Sequence, residues 1–290
     1  MINDLRPIVH IKGLGALFRA RGPGMLKDPV ERFMALEYQS PMVRGPRLQA
    51  YYSSDSFRKI GEALRTGEDP FLLSPEWQAA LYEQEGVPES KKKVDLVTLQ
   101  GLVWASLVSG LRRLRQGDMT VDAYELLCRA QKAAYELSDG VANINCELES
   151  NTAPTVGPSA NLDLMVPQVY HFRDAKQASL FVHHAAISLT LNILIASLGT
   201  YCGVPEEPNP ANLELCWRIW MSCENDMRER PLTGAYIGSA LVVTFDHASL
   251  EMQDWIVGQL DGFDMLRRGG KKWTKEKVMY VCMWATGRVD

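Results

Sequence analysis

The residues with the most chemical capacity lie inside the most hydrophobic stretch of the chain, as Phe181-Val182-His183-His184-Ala185 followed by Ser188. A neutral imidazole donates or accepts a proton near physiological pH. Neighbouring positions on a helix point about 100° apart, so at most one of the two histidines faces a cavity. His184 is the better candidate, because it lies one turn after Phe181 and one turn before Ser188, on a narrow polar line beneath the apolar run. The competing reading is a histidine satisfied by a backbone carbonyl within a core. Tyr201, Trp217, Trp220 and Tyr236 flank the same stretch in sequence. They either fill the core or supply shape and hydrogen-bond donors to an apolar ligand, a role that Met221, Met227 and Met252 also suit. The candidate catalytic groups are therefore His184, His183 and Tyr201, and the candidate substrate-binding residues are Phe181, Ser188, Trp217, Trp220, Met221 and Tyr236.

Much chemistry is excluded by what the sequence lacks. Six cysteines, Cys128, Cys146, Cys202, Cys216, Cys223 and Cys282, form no CxxC pair and no Cys/His ligand spacing, so no zinc site is expected. Cys216 and Cys223 share one helical face and read as buried thiols. Glu147, Glu149 and Asp163 stand in what reads as a solvated loop, and no Asp-rich magnesium motif supports diphosphate ionisation. Gly13-Leu14-Gly15 sits within a helical pattern and not in a phosphate loop after a strand. Gly157-Pro158-Ser159 lacks the strand-turn-helix setting of a nucleophile elbow. No cofactor is implied. A net charge of −4 and a pI near 5.8 give no broad attraction for nucleic acid. His183, His184, Ser188, Thr190 and Asn192 interrupt the run Ala178 to Leu198, which reads as a buried helix and not a membrane span. Asp4, Arg6 and Pro7 break any signal-peptide core, so a cytoplasmic location with reduced thiols is expected.

Helices must position these residues. Ile8, Ile11, Leu14, Leu17 and Phe18 recur at helical spacing up to Arg21, and Gly22-Pro23-Gly24 ends that helix. Asp28 and Pro29 open a second, to Tyr38, and Gln39 to Pro46 is a break before a further helix over Leu48 to Leu64. Thr66 to Pro75 is a loop, Ser74-Pro75-Glu76-Trp77 caps a helix reaching Gln84, and Glu89 to Lys93 reads as a charged turn. Asp95 to Arg115 and Thr120 to Ser138 form a helical hairpin closed by Gly117-Asp118. Ala142 to Gln168 reads as a long irregular region. Asp174 to Leu198 is the central helix. Further helices follow from Asn209 or Asn212 to about Arg230, over Ser239 to Asp246 and over Leu250 to Arg267, with Lys271 to Thr286 either helix or strand. The class is all-α, an irregular bundle or superhelix of about ten helices, and residues 1–290 form a single domain.

Gly13 to Pro23 resembles the helix and turn in the middle of the regulatory domain of fungal zinc-cluster transcription factors. Pro167 to Asp174 is similar to that family's Tyr-x-Phe approach to a central helix, and Leu194 to Leu198 to the end of such helices. Ser222-Cys223-Glu224 to Leu241 and Trp255 to Leu260 resemble its last segments. The resemblance implies a helical fold. It also marks two departures: the six-cysteine DNA-binding head is missing, and no arginine occurs from Asp174 to Trp217. The first resembling helix follows Met1 by about a dozen residues, which carries the expectation that whatever precedes it in the family is missing here.

Two functions follow as expectations. The first is a stand-alone, transcription-factor-like protein that binds an apolar small molecule and acts as a cofactor-independent cyclase or isomerase, in the manner of a pericyclase of fungal secondary metabolism. Holding a reactive conformer lowers a barrier without acid-base chemistry. The second is a non-DNA-binding fragment or headless transcriptional regulator, nuclear in location, that acts through protein partners; a fragment is expected to expose apolar surface suited to a homodimer.

Overall fold

A computed structural model describes residues 16–28, 30, 74–82, 89–149, 154–160, 165–173, 175–205, 207–223, 234–264 and 272–289. The described chain is all-α but for one small sheet, as the sequence implies. Residues 16–21 are helical, and Gly22 stops them with a φ of 72°, a conformation open to glycine and strained for other residues. A 3-10 turn, Pro23–Lys27, follows, and Asp28 Oδ1 accepts from Val30 N at 2.8 Å, the cap expected of it. The rest of the helix from Pro29, the break Gln39 to Pro46, the helix Leu48 to Leu64 and most of the Thr66 loop lie outside the described residues.

Helix α1 spans Pro75–Tyr82 and packs on the 3-10 turn. Helix α2 spans Glu89–Arg115. The expected charged turn at Glu89 to Lys93 is thus the start of this helix, because glutamate and lysine are good helix formers and no glycine or proline interrupts them. Helix α3 spans Ala123–Glu149 and is opened by Asp122, whose Oδ1 accepts from Tyr124 N at 2.8 Å. It runs about three turns beyond Ser138 into the stretch expected to be irregular, which contains no proline before Pro154 to stop it. The remainder of that stretch holds a hairpin of β1, Thr155–Pro158, antiparallel to β2, Gln168–His171. A Cβ on Gly157 would lie 2.7 Å from His171 Nε2, the tip of an exposed side chain that can turn aside.

Helix α4, Ala175–Tyr201, is the centre of the molecule, packed by α2, α3, α5 and α6. By length and composition alone Gln177–Tyr201 is apolar enough to cross a membrane. Its Val182, Ala185, Leu189, Leu191, Leu194 and Leu198 are instead buried against neighbouring helices. Helix α5, Ala211–Trp220, is opened by Asn209, whose Oδ1 accepts from Ala211 N at 3.0 Å, and it closes at Met221, well before Arg230. Helix α6, Gly234–Thr244, runs into a 3-10 turn at Phe245–His247. Helix α7 spans Leu250–Asp264, and α8, Lys275–Ala285, settles the last segment as a helix with Thr274 as its N-cap. The arginines at the end of α2 serve α8: Arg112 stacks on Trp284 and donates to its carbonyl, and Arg115 donates to the Gly287 carbonyl at 3.2 Å.

Leu194 is fully enclosed on α4, whereas Leu213 on α5 is half exposed. Leu194→Ala is expected to cost about 2–5 kcal/mol of unfolding free energy, and Leu213→Ala about 0.5 kcal/mol or less. Urea unfolding of both variants checks the difference.

Candidate functional site

The three-and-four spacing of Phe181, His184 and Ser188 places all three along one line of α4. Ser188 Oγ lies 3.4 Å from His184 Nε2, a loose contact. The His184 ring also hydrogen-bonds the backbone carbonyl of Leu137, which brings α3 to the same point. Arg218, from α5, completes the group. Its guanidinium acts electrostatically on His184 and lies 6.0 Å from the centre of the Phe181 ring, while Glu214, one turn earlier, holds it at 2.6 Å.

The hairpin adds an aromatic wall. Tyr170 lies next to the last residue of β2 and two residues before Phe172, a spacing that sends both side chains the same way in extended backbone. Tyr170 packs edge-on against Phe181 at 4.9 Å between ring centres, and Phe172 lies 5.5 Å from Phe181. Tyr170 N donates to the Met221 carbonyl at 2.9 Å, so the wall is fixed to the end of α5. Phe172 is buried, whereas Tyr170 and Phe181 are only half-buried, leaving an aromatic face in contact with solvent.

The electrostatics keep both histidines neutral. Burial pushes the His184 pKa down to about 4, the Arg218 cation pushes the same way, and the Leu137 carbonyl opposes them. That carbonyl can only accept, so it takes a ring N–H and the other ring nitrogen keeps its lone pair. His184 therefore offers one donor and one acceptor at neutral pH, with no stored proton. Burial also lowers the pKa of His183, whose Nδ1 lies 2.7 Å from the Ser179 carbonyl and donates to it, and 3.1 Å from Ser179 Oγ. His183 matches the structural reading, a core imidazole satisfied within its own helix.

The other candidate residues do not all join this site. Tyr201 stands at the far end of α4, about 25 Å along the axis from His184 at the helical rise, and is half exposed. Its position takes it out of any catalytic group with the histidines. Trp217 and Trp220 pack edge-on at 5.1 Å. Trp220 donates Nε1–H to Thr244 Oγ1 at 2.8 Å in the core, so its polar atom is already committed, whereas Trp217 is exposed beside Arg218. Met221 contributes its backbone carbonyl, as above. The side chains of Tyr236, Met227, Glu147, Glu149 and Asp163 lie outside those described. Cys216, Cys223 and Cys282 are buried, and burial raises the Cys216 pKa to about 12, so it is no nucleophile at neutral pH. Among the described residues no cluster of three His, Cys, Asp or Glu could hold a metal ion.

Sequence reasoning missed Arg218, Tyr170 and Phe172 as site residues. The signals were present: Glu214 and Arg218 have the four-residue spacing of a helical ion pair, and Tyr170 and Phe172 share a strand period. What the sequence did not carry was the tie from β2 to Met221 that brings the hairpin onto α4 and α5. No protein-family model, curated protein or solved structure matches the chain.

The depressed histidines fix the sign of a pH effect. Above the ordinary value of 6.5 both states are neutral. Between 6.5 and about 4 the unfolded chain takes up a proton that native His184 refuses, so stability falls as pH falls. The expected slope is up to about 1.4 kcal/mol per pH unit for His184, with His183 adding in the same direction. His184→Gln is expected to flatten part of this slope in chemical unfolding across that range. An unchanged slope would contradict the assignment.

Proposed function

We propose that the chain binds an apolar, ring-containing small molecule against the Tyr170, Phe172 and Phe181 face, beside His184 and Arg218, and rearranges it without a cofactor. What supports the reading is one convergence: a half-buried aromatic wall meets a half-buried imidazole held neutral between a carbonyl and a guanidinium. Aromatic faces bind flat apolar rings by dispersion and by edge-to-face contacts. A neutral imidazole with a defined donor and acceptor orients a substrate and stabilises charge as it develops, without acting as a bulk acid or base. Cyclisation and isomerisation need little more than this, because fixing a reactive conformer supplies much of the rate. The resemblance to the regulatory domain of fungal zinc-cluster transcription factors belongs to the same proposal, as the origin of the helical scaffold. Its secondary-metabolism setting belongs there too.

A regulator acting through protein partners is the second reading. Val204, Leu213 and Trp217 favour it, since all three expose apolar side chains around the start of α5.

The test of the first reading is incubation of the purified chain with a metabolite extract of the organism that encodes it, followed by mass spectrometry. The expected result is a metabolite consumed and an isomer formed by the native but not the heat-denatured protein. Phe181→Ala is expected to slow that conversion by about tenfold or more, and His184→Ala by roughly 10–100-fold. Conversion that is unchanged in His184→Ala would remove His184 from the site. Absence of any fold-dependent conversion would favour the regulator.

A further inference from the structure

Arg218 has more hydrogen-bonding capacity than the protein uses. Its Nη2 donates to Glu214 Oε1 at 2.6 Å, and among the described residues no other acceptor takes a guanidinium N–H from it. A guanidinium carries five such donors in a rigid fork and keeps its charge at any ordinary pH. Two carbonyls near it at the end of α5 are already taken: Ser222 Oγ donates to the Arg218 carbonyl at 2.7 Å, and Tyr170 N to the Met221 carbonyl at 2.9 Å. Glu214 is a weak partner, because its own side chain is 67% exposed. The Arg218 side chain is 30% exposed, and its unpaired nitrogens are open to solvent.

These spare donors stand beside the aromatic wall. The guanidinium carbon lies 6.0 Å from the centre of the Phe181 ring, Phe181 packs on Tyr170 at 4.9 Å, and both rings are half-buried. Resting on the ligand reading above, we infer that the ring compound carries a carboxylate, which Arg218 holds while the ring lies against Phe181 and Tyr170. A carboxylate matches the fork in charge and shape and takes two parallel N–H bonds. A neutral carbonyl or hydroxyl accepts more weakly, and a cationic ligand meets repulsion from Arg218 itself. His184 does not compete for the acid: its ring N–H goes to the Leu137 carbonyl, and its other nitrogen presents a lone pair, which repels a carboxylate oxygen. Glu214 need not leave, since five donors serve two carboxylates, but its charge opposes the incoming acid.

The test compares two isosteric probes on the full chain at neutral pH and low salt, 2-naphthoate and the uncharged 2-naphthamide, with dissociation constants from equilibrium dialysis. Naphthoate is expected to bind roughly tenfold more tightly. Arg218→Gln is expected to bring that ratio close to one while naphthamide binding is retained. Glu214→Gln removes the opposing carboxylate and is expected to tighten naphthoate binding roughly threefold. Phe181→Ala is expected to weaken both probes alike. Equal binding of the two probes by the wild type would overturn the inference and leave the ring-ligand reading standing, as would a naphthoate advantage that survives in Arg218→Gln. Binding of neither probe would overturn both. The wild-type comparison decides even where a variant fails to fold.

Discussion

The fold depends on the need to bury α4. This helix is apolar nearly all round, so it must be enclosed by several neighbours at once, and α2, α3, α5 and α6 do so. Enclosure makes every polar side chain on it a problem to be solved locally. Thr190 Oγ1 donates to the carbonyls of Ala186 and Ile187, Asn192 Nδ2 donates to Asn212 Oδ1 across to α5, and His183 donates to the Ser179 carbonyl. His184, like Asn192, reaches sideways, to the Leu137 carbonyl on α3 and toward the guanidinium from α5. The imidazole is therefore a joint between three helices, and its neutrality is a condition of the packing.

That joint sets the chemistry the interior can do. An imidazole held near 4 is too weak a base to collect a proton from solvent at neutral pH. It remains a fixed donor and acceptor. The buried thiols are quiet for the same reason, since burial raises the pKa of both Cys216 and Cys282. Orientation by fixed hydrogen bonds, beside the aromatic wall of Tyr170, Phe172 and Phe181, is the capacity the described residues provide.

How much of this could be read in the sequence depended on the range of the signal. Local signals carried through: the all-α class, the α2–α3 hairpin closed at Gly117-Asp118, the central helix, and the Asp28 cap all follow from spacing and turn chemistry. The alignment of Phe181, His184 and Ser188 also follows from helical periodicity alone. Errors arose where weak local preference met tertiary context. The lysines at 91–93 read as a turn by charge, although their propensity favours helix, and the stretch from Ala142 read as irregular, although no proline before Pro154 stops α3. The hairpin was hidden among Asn, Ser and Pro residues that usually mark loops. Arg218 went unseen as a site residue because its role comes from the packing of α5 against α4, which no single stretch encodes.

The central claim is that His184 is a neutral, single-tautomer imidazole within the bundle. Nitrogen-15 NMR of the labelled imidazole, followed over pH, tests it most directly. The account predicts one ring nitrogen with the shift of a protonated N–H and the other with that of a lone pair, unchanged from neutral pH down to about 5 and titrating near 4. An averaged pair of shifts that titrates near 6.5, as a solvent-exposed histidine does, would contradict it.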